Sequence, residues 1–260
     1  MKRVAVLCVV CAWVYSIGPA EAQGYLNRWR DNKGDWYIGF STSTSRYCGD
    51  LSERYNYQHL QLSWGVSTNV QYRIDEYLSL RLDIGLVHLR GDGQFTKNKA
   101  NNLSFASINP YSAISLQVDF RSVDKQQYNI PYVWLGFGVV RLDPTTMHNG
   151  QRINLFELQT EGIAYARWAG QIAYGVGVPC RVSKRVQIRP EARYTHVLSD
   201  YLDDVSTTYS PKSNSSVLAK QLSDRSPEIG LPAHLIGAQR GNSDNNDGYF
   251  LLSLQVIYKW

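Results

Sequence analysis

LQLSWGVSTNVQYRI, residues 60–74, is the stretch whose reading decides the fold. Leu62, Trp64, Val66, Thr68, Val70, Tyr72 and Ile74 fall on one face, and Gln61, Ser63, Gly65, Ser67, Asn69, Gln71 and Arg73 on the other. A period of two held over this length is a strand, because helical periodicity cannot produce it. Asp75 and Glu76 interrupt the pattern, which resumes with Leu78, Leu80, Leu82, Ile84 and Leu86 against Ser79, Arg81, Asp83 and Gly85. Two alternating runs joined by a short polar link predict a hairpin.

Six further runs follow the same rule. Trp36, Ile38 and Phe40 mark the first strand, Ile114, Leu116, Val118 and Phe120 the fourth, and Val133, Leu135, Phe137 and Val139 the fifth. Ile172, Tyr174, Val176 and Val178 mark the sixth, and Phe250, Leu252, Leu254, Val256, Tyr258 and Trp260 the last. The seventh sets Val186, Ile188, Ala192 and Tyr194 against Gln187, Arg189, Glu191 and Arg193, and is weakened by Pro190, which cannot donate to a ladder. The connections alternate in length. Short ones fall at Asp75-Glu76, around Asp124-Lys125 and around Ser183-Lys184-Arg185; long ones span about 44–57, 92–111, 142–167 and 199–247. This predicts an all-β, eight-stranded antiparallel transmembrane β-barrel with short periplasmic turns, long extracellular loops and both termini in the periplasm.

Alternation alone does not say which face meets water, since a soluble barrel would turn its apolar face inward. The polar faces here are rich in Gly, Ser, Asn and Gln and nearly free of lysine, unlike a soluble surface. They suit the narrow lumen of eight strands, where Arg81, Asp83, Arg189, Glu191 and Arg193 can neutralise one another. On a lipid face each basic residue would cost roughly 2–4 kcal/mol near the midplane. Trp64 and Tyr72 bracket the apolar band of the second strand, and Phe250 and Tyr258 that of the last. Eight tilted residues climb about 21 Å, close to the height of an apolar band.

Lys2, Arg3, the apolar run from Val4 to Ile17 and Ala20-Glu21-Ala22 predict a cleaved leader at 1–22. A periplasmic segment at 23–35 and the barrel at 36–260 then follow, with a long loop at about 199–247. Cys8 and Cys11 fall in the leader. Cys48 and Cys180 fall at opposite ends of the barrel, too far apart for a bridge, so two free thiols are expected. The mildly polar mean hydropathy fits a barrel with a polar lumen. The net charge of +5 is scattered, which argues against nucleic-acid binding.

Enzyme motifs are lacking: no nucleophile elbow, zinc-hydrolase helix, P-loop or dinucleotide fingerprint occurs. The expectation is a non-enzyme with no cofactor and no catalytic or metal residues. His88 and His196 approach the rim, where a lipid-modifying barrel enzyme would need histidine beside serine or aspartate, but rim histidines are the plainer reading. Asp200, Asp203 and Asp204 form a carboxylate cluster that could attract calcium, although the glycine and distal glutamate of an EF-hand loop are missing. A solvated loop is the alternative. The Ser/Asn/Asp-rich segment after it, with Pro211, Pro227 and Pro232, is expected to be partly mobile.

Four segments carry a resemblance. They are Tyr47-Cys48-Gly49-Asp50-Leu51, Asn102-Leu103-Ser104-Phe105, Thr160-Glu161-Gly162, and Asp200-Tyr201-Leu202-Asp203-Asp204-Val205-Ser206, in this order. Their succession over about residues 36–210 is similar to the PorG-like outer-membrane proteins of the type IX secretion system. The chain departs from that pattern at Cys48, where a larger apolar residue is expected, and in the extended loop 210–247. The resemblance implies an anchor that tethers a periplasmic ring, a PorK-like lipoprotein with a PorN-like protein, to outer-membrane lipid. The barrel itself is too narrow to pass a folded protein, since wide channels need about sixteen strands. A ring beneath the membrane would meet residues 23–35 (Arg28, Trp29 and Arg30 among them), Asp75-Glu76, the Asp124-Lys125 turn and Ser183-Lys184-Arg185. The motif segments themselves fall on the predicted outer loops, either as plugs in the mouth or as contacts for another partner. A structural or adhesin-like barrel is the alternative function.

Overall fold

The protein is described from a computed structural model that covers residues 33–53, 59–120, 130–210 and 215–260. The predicted leader, most of the 23–35 segment and the Asp124-Lys125 turn lie outside these residues. In chain order the strands are β1 (Trp36–Cys48), β2 (Ser63–Arg73), β3 (Leu78–Asp92), β4 (Ser104–Asp119), β5 (Tyr132–Arg141), β6 (Thr145–His148), β7 (Gln151–Asn154), β8 (Trp168–Gly177), β9 (Cys180–Arg181), β10 (Val186–Val197) and β11 (Gly248–Lys259). The wall runs β3-β2-β1-β11-β10-β8-β5-β4, and β3 pairs with β4 to close it. It is an antiparallel barrel of eight long strands, matching the sequence expectation. The β6–β7 hairpin is attached beside β4 through Ala106 and Thr145.

The register explains which face meets lipid. Phe40 pairs with Thr68 and Thr68 with Ile84, all pointing out, while the adjacent row Gly39, Asn69 and Asp83 points in. Ile84 is 54% exposed and Phe137 63%, whereas Asp83 and Gln71 are each 1% exposed. Large apolar side chains outside and polar ones inside is the reverse of a soluble barrel. No described helix is long and apolar enough to cross a membrane, and the crossing is made by strands.

The lumen is filled. Arg81 lies 2.7 Å from Asp83 and 2.7 Å from Glu191, and the Tyr132 hydroxyl donates to Glu191 over 2.8 Å. Arg189 donates to Gln71 over 2.7 Å, Arg73 pairs with Asp119, and Arg193 donates to Thr195 and lies over the Tyr111 and Trp134 rings. Buried charge is tolerated because partners in the same layer satisfy it. Of the expected mutual neutralisation, the Arg81 group with Asp83 and Glu191 is present, whereas Arg189 meets Gln71 and Gln187, and Arg193 meets Thr195 and aromatic faces.

β10 runs unbroken through Pro190, and the interruption falls on the strand opposite. β10 pairs with β8 as far as Glu191 and Gly177, then with β9 from Ile188 and Cys180, in one unbroken register. The break between β8 and β9 falls at Val178-Pro179, where the Val178 N–H still donates to the Pro190 carbonyl over 3.1 Å, so what Pro190 withholds is only its own donor. Cys48 and Cys180 are unbridged.

Several strands outrun their predicted ends. β1 continues to Cys48 and β4 begins at Ser104, so the loops placed at 44–57 and 92–111 are shorter, whereas β3 ends at Asp92, where the second loop was placed to begin. Ser104 and Phe105 thus belong to β4 and not to the connection before it. The cause lies on β3, where outward Leu82, Ile84 and Leu86 give way to outward His88 and Arg90, while Val87 and Leu89 turn inward into an apolar core. Past the hydrocarbon the same strand reverses its polarity.

Candidate functional site

The long-loop end holds a second core; three of the four motif segments enter it, and the other, Thr160-Glu161-Gly162, is tied to it by polar contacts. Leu51, Leu103, Phe105, Leu202 and Val205 pack together with Tyr47, Val87 and Leu89 in one buried cluster. Tyr47 meets Phe105 edge-on at 4.8 Å, and Tyr201 stacks on Tyr165 at 4.4 Å. The segments therefore plug the barrel mouth. The sequence left them as plugs in the mouth or as contacts for another partner, and the structure packs them into the mouth.

Polar groups tie the plug down. Glu161 accepts from the backbone N–H groups of Ser206 and Thr207, each over 2.9 Å, and from Arg240 Nη1 over 2.9 Å. Asp204 accepts from the Thr160 hydroxyl over 2.5 Å and from the Tyr165 hydroxyl over 2.8 Å. Asp204 also has a left-handed backbone at φ 65°, as does Gly162 at φ 72°. Asp50 accepts from the Asn242 N–H over 2.6 Å, and Asn102 donates to the Arg225 carbonyl over 3.2 Å. Gly49 is required by close approach, since a Cβ there would sit 1.9 Å from Asp247 Oδ1.

The Tyr47 hydroxyl lies 2.6 Å from Asp203 Oδ2 and 2.6 Å from Asp247 Oδ1. A phenol has one proton to give, so both contacts are hydrogen bonds only when one carboxyl is protonated. Burial, then the facing Asp247 charge, pushes Asp203 up; burial likewise raises Asp247, with Asp50 adding to it. Burial raises Asp200 to about 8, with Asp247 contributing next. Burial also raises Asp204 to about 6 against the opposing pull of Arg240.

These directions fix a pH dependence. Carboxyls raised in the folded state bind more protons there than in the unfolded chain, where their pKa is about 3.9. Their contribution is fully present below about pH 4 and is lost as pH rises through the folded values, about 6 for Asp204 and about 8 for Asp200. Protease cleavage within 199–247 is expected to quicken between pH 5 and pH 8.5, and Asp203→Asn to flatten that rise. Cleavage independent of pH would contradict this account.

Three further residues hold the plug and carry no motif: Arg240, Asp247 and Tyr165. The loop expected to be partly mobile supplies two of them. It builds a short helix, α1 (Val217–Ser223), and a brace in which Asp224 accepts from the His234 N–H over 2.6 Å while His234 stacks on Tyr209 at 4.3 Å. Nothing in the sequence singles out Arg240, which is one of four cations in that stretch with Lys212, Lys220 and Arg225.

The carboxylates of 200–204 do not converge on one point: Asp203 turns to Tyr47 and Asp204 to Thr160 and Tyr165. Among the described residues no group of three or more His, Cys, Asp or Glu is placed to hold a metal ion. His88 contacts Ser63 and stacks on Trp64 at 5.7 Å, and His196 packs on Tyr194 at 4.7 Å. No carboxylate among the described residues orients either ring, so neither geometry is that of a charge-assisted nucleophile.

A closed barrel with a lipid-facing exterior, a salt-bridged lumen and a capped mouth defines an outer-membrane β-barrel protein, not a wide channel. The chain belongs to the outer membrane protein beta-barrel domain family, whose sequence model matches residues 9–217. Its location is the outer membrane. No curated protein matches it. Among solved structures it is similar to the Neisserial surface protein A, at 13% identity and a TM-score of 0.46, covering 86% of this chain and 97% of that one. OprG of Pseudomonas aeruginosa gives 11% identity and 0.45, covering 90% and 98%. The attachment invasion locus protein Ail of Yersinia pestis, in complex with the heparin analogue sucrose octasulfate, gives 13% and 0.43, covering 88% and 99%.

Proposed function

We propose that the protein is a non-enzymatic anchor of the type IX secretion machinery, holding a periplasmic ring of PorK-like and PorN-like proteins against the outer membrane. The observation that carries this reading is the folding of all four PorG-like segments into one plug. Residues scattered from Gly49 to Ser206 act as a structural unit, which a chance resemblance would not require. The filled lumen supports it from another side. A barrel blocked along its length by Arg73, Arg81, Arg189 and Arg193 with their partners serves as a fixture and not as a conduit.

In this reading the short-turn end faces the periplasm and the plugged end faces outward. The described part of the docking face then comprises Asp75-Glu76, Ser183-Lys184-Arg185 and the Lys259–Asp35 ion pair at 2.5 Å. Affinity isolation from gently solubilised outer membrane is expected to recover the ring proteins, and their reproducible absence would remove the proposal. The double variant Lys184→Glu, Arg185→Glu is expected to lower ring recovery about tenfold without changing barrel yield, because rim charges set encounter more than folding.

The alternative is an adhesin-like barrel that binds surface ligands. It is favoured by Leu235 and Ile236, each 83% exposed on the braced loop. Ligand capture by whole cells that is lost in Leu235→Ser, Ile236→Ser, with no ring recovered, would favour it over the anchor.

A further inference from the structure

Every pair of neighbours in the barrel wall but one joins consecutive wall strands, linked at one end by a turn or loop. The exception is the seam. β1 and β11 pair from Tyr37–Lys259 to Cys48–Gly248 and share no connection at either end. Closing the seam brings together the two ends of the whole wall, which is the costliest closure of the set. A ladder end that no turn holds is also where pairing opens first. β3 and β4 show the contrast. Their ladder runs into its connection at Asp92 and Ser104, where the Gly93 N–H donates to the Leu103 carbonyl over 2.8 Å.

At the long-loop end, side chains bridge the seam. Tyr47, the penultimate residue of β1, sends its hydroxyl to Asp247 Oδ1, 2.6 Å away and immediately before β11. The same hydroxyl lies 2.6 Å from Asp203 Oδ2. Asp247 is itself fixed to the far side. Its Oδ2 accepts from the Leu202 N–H over 3.0 Å, and its carbonyl from the Val197 N–H over 2.9 Å. Its own N–H donates to the Ser199 carbonyl over 3.3 Å. A Cβ on Gly49 would lie 2.0 Å from the Tyr47 hydroxyl, so the chain leaving β1 folds back over this contact and covers it. The short-turn end carries a counterpart. There Lys259 pairs with Asp35 at 2.5 Å, and the Trp260 N–H donates to the Trp36 carbonyl over 3.0 Å.

We propose that Tyr47, with Asp247 and Asp203, is a clasp that locks the seam between the first and last strands at the long-loop end. The segment 199–247 then does more than cap the mouth: it carries both carboxylates to β1 and completes the closure of the wall. The clasp is separable from the rest of the plug. Arg240 acts on Glu161 and Asp204, whereas Tyr47 acts on Asp203 and Asp247. It holds the seam whichever end of the barrel faces the cell exterior.

Backbone hydrogen exchange of the full-length protein in lipid nanodiscs, read by mass spectrometry, tests the clasp. Tyr47→Phe keeps the ring beside Phe105 and removes only the hydroxyl. Exchange is expected to quicken about tenfold in 44–48 and 248–252, with 88–92 and 104–108 at the same end unchanged. Arg240→Ala should instead quicken 204–210 and 235–242 and spare the seam. Parent-like exchange at the seam of Tyr47→Phe would overturn the proposal. So would equal quickening in β3 and β4, which would make the hydroxyl a general support of the mouth. Seam exchange raised as much by Arg240→Ala would overturn it too, because the seam would then depend on the plug as a whole.

Discussion

Arg240→Ala is expected to release the plug while leaving the barrel in the membrane, at a cost of about 3–5 kcal/mol. Arg240 Nη1 pairs with Glu161 Oε1 at 2.9 Å, and its Nε donates to the Ser223 carbonyl over 2.9 Å. Nη2 lies 4.0 Å from Asp204 Oδ2. Among the described residues, the Arg240 guanidinium is the cation paired with Glu161 and Asp204. Truncation leaves those carboxylates buried without compensation, which costs far more than losing a surface pair. Arg240→Lys should recover only part of the loss, because an ammonium cannot span three acceptors in a plane. Limited proteolysis in detergent reads this directly. Cleavage within 199–247 should rise sharply, while the heat-modified mobility that reports a closed barrel stays as in the parent protein. Unchanged protection would show that Arg240 does not hold the plug.

Arg81→Ala should act on the barrel instead. Arg81 joins Asp83 on its own strand to Glu191 across the lumen, so one side chain ties β3 to β10. Its removal strands two buried carboxylates, again at about 3–5 kcal/mol. Urea unfolding in lipid vesicles should show the loss as a lower midpoint. Replacing the group together, as Arg81→Met with Asp83→Asn and Glu191→Gln, should restore much of the stability, because no charge is then left unpaired. If the single variant unfolds like the parent, the lumen is wet enough to screen these charges and the interlocked interior is wrong.

The hydrocarbon-spanning fold was legible because lipid imposes one rule over a long run. Between Trp64 and Leu86 every outward residue except Thr68 and the turn is apolar or aromatic, and every inward one is small, polar or charged. The legible run stops at Leu86 for a physical reason. From Val87 the inward positions line a water-excluded plug and turn apolar, while outward His88 and Arg90 meet the interface. A reader following one phase loses the apolar pattern there, and the paired start of β4 at Ser104 is hidden with it.

The plug was legible only in part. Asp200 to Ser206 stood out as an acidic run, but acidic runs are usually solvated, and nothing local showed that Leu202, Asp203 and Asp204 are buried. Their partners are remote in sequence: Tyr47 lies on β1, and Arg240 and Asp247 lie beyond the helix. A carboxylate's burial depends on such partners, which single-chain periodicity cannot supply. Conversely, the missing donor at Pro190 was foreseeable from one residue, because a missing N–H is a local fact, although β10 runs through it unbroken.

The central claim is that alternate residues of the eight wall strands face hydrocarbon and the intervening ones face a filled interior. Spin labels at single cysteines replacing Thr68, Asn69, Val70 and Gln71, in a Cys48→Ser, Cys180→Ser background in vesicles, test it most directly. The account predicts high accessibility to dissolved oxygen at 68 and 70 with little to a water-soluble nickel chelate, and low accessibility to both at 69 and 71. Oxygen accessibility that is flat along the four positions, or highest at 69 and 71, would contradict it.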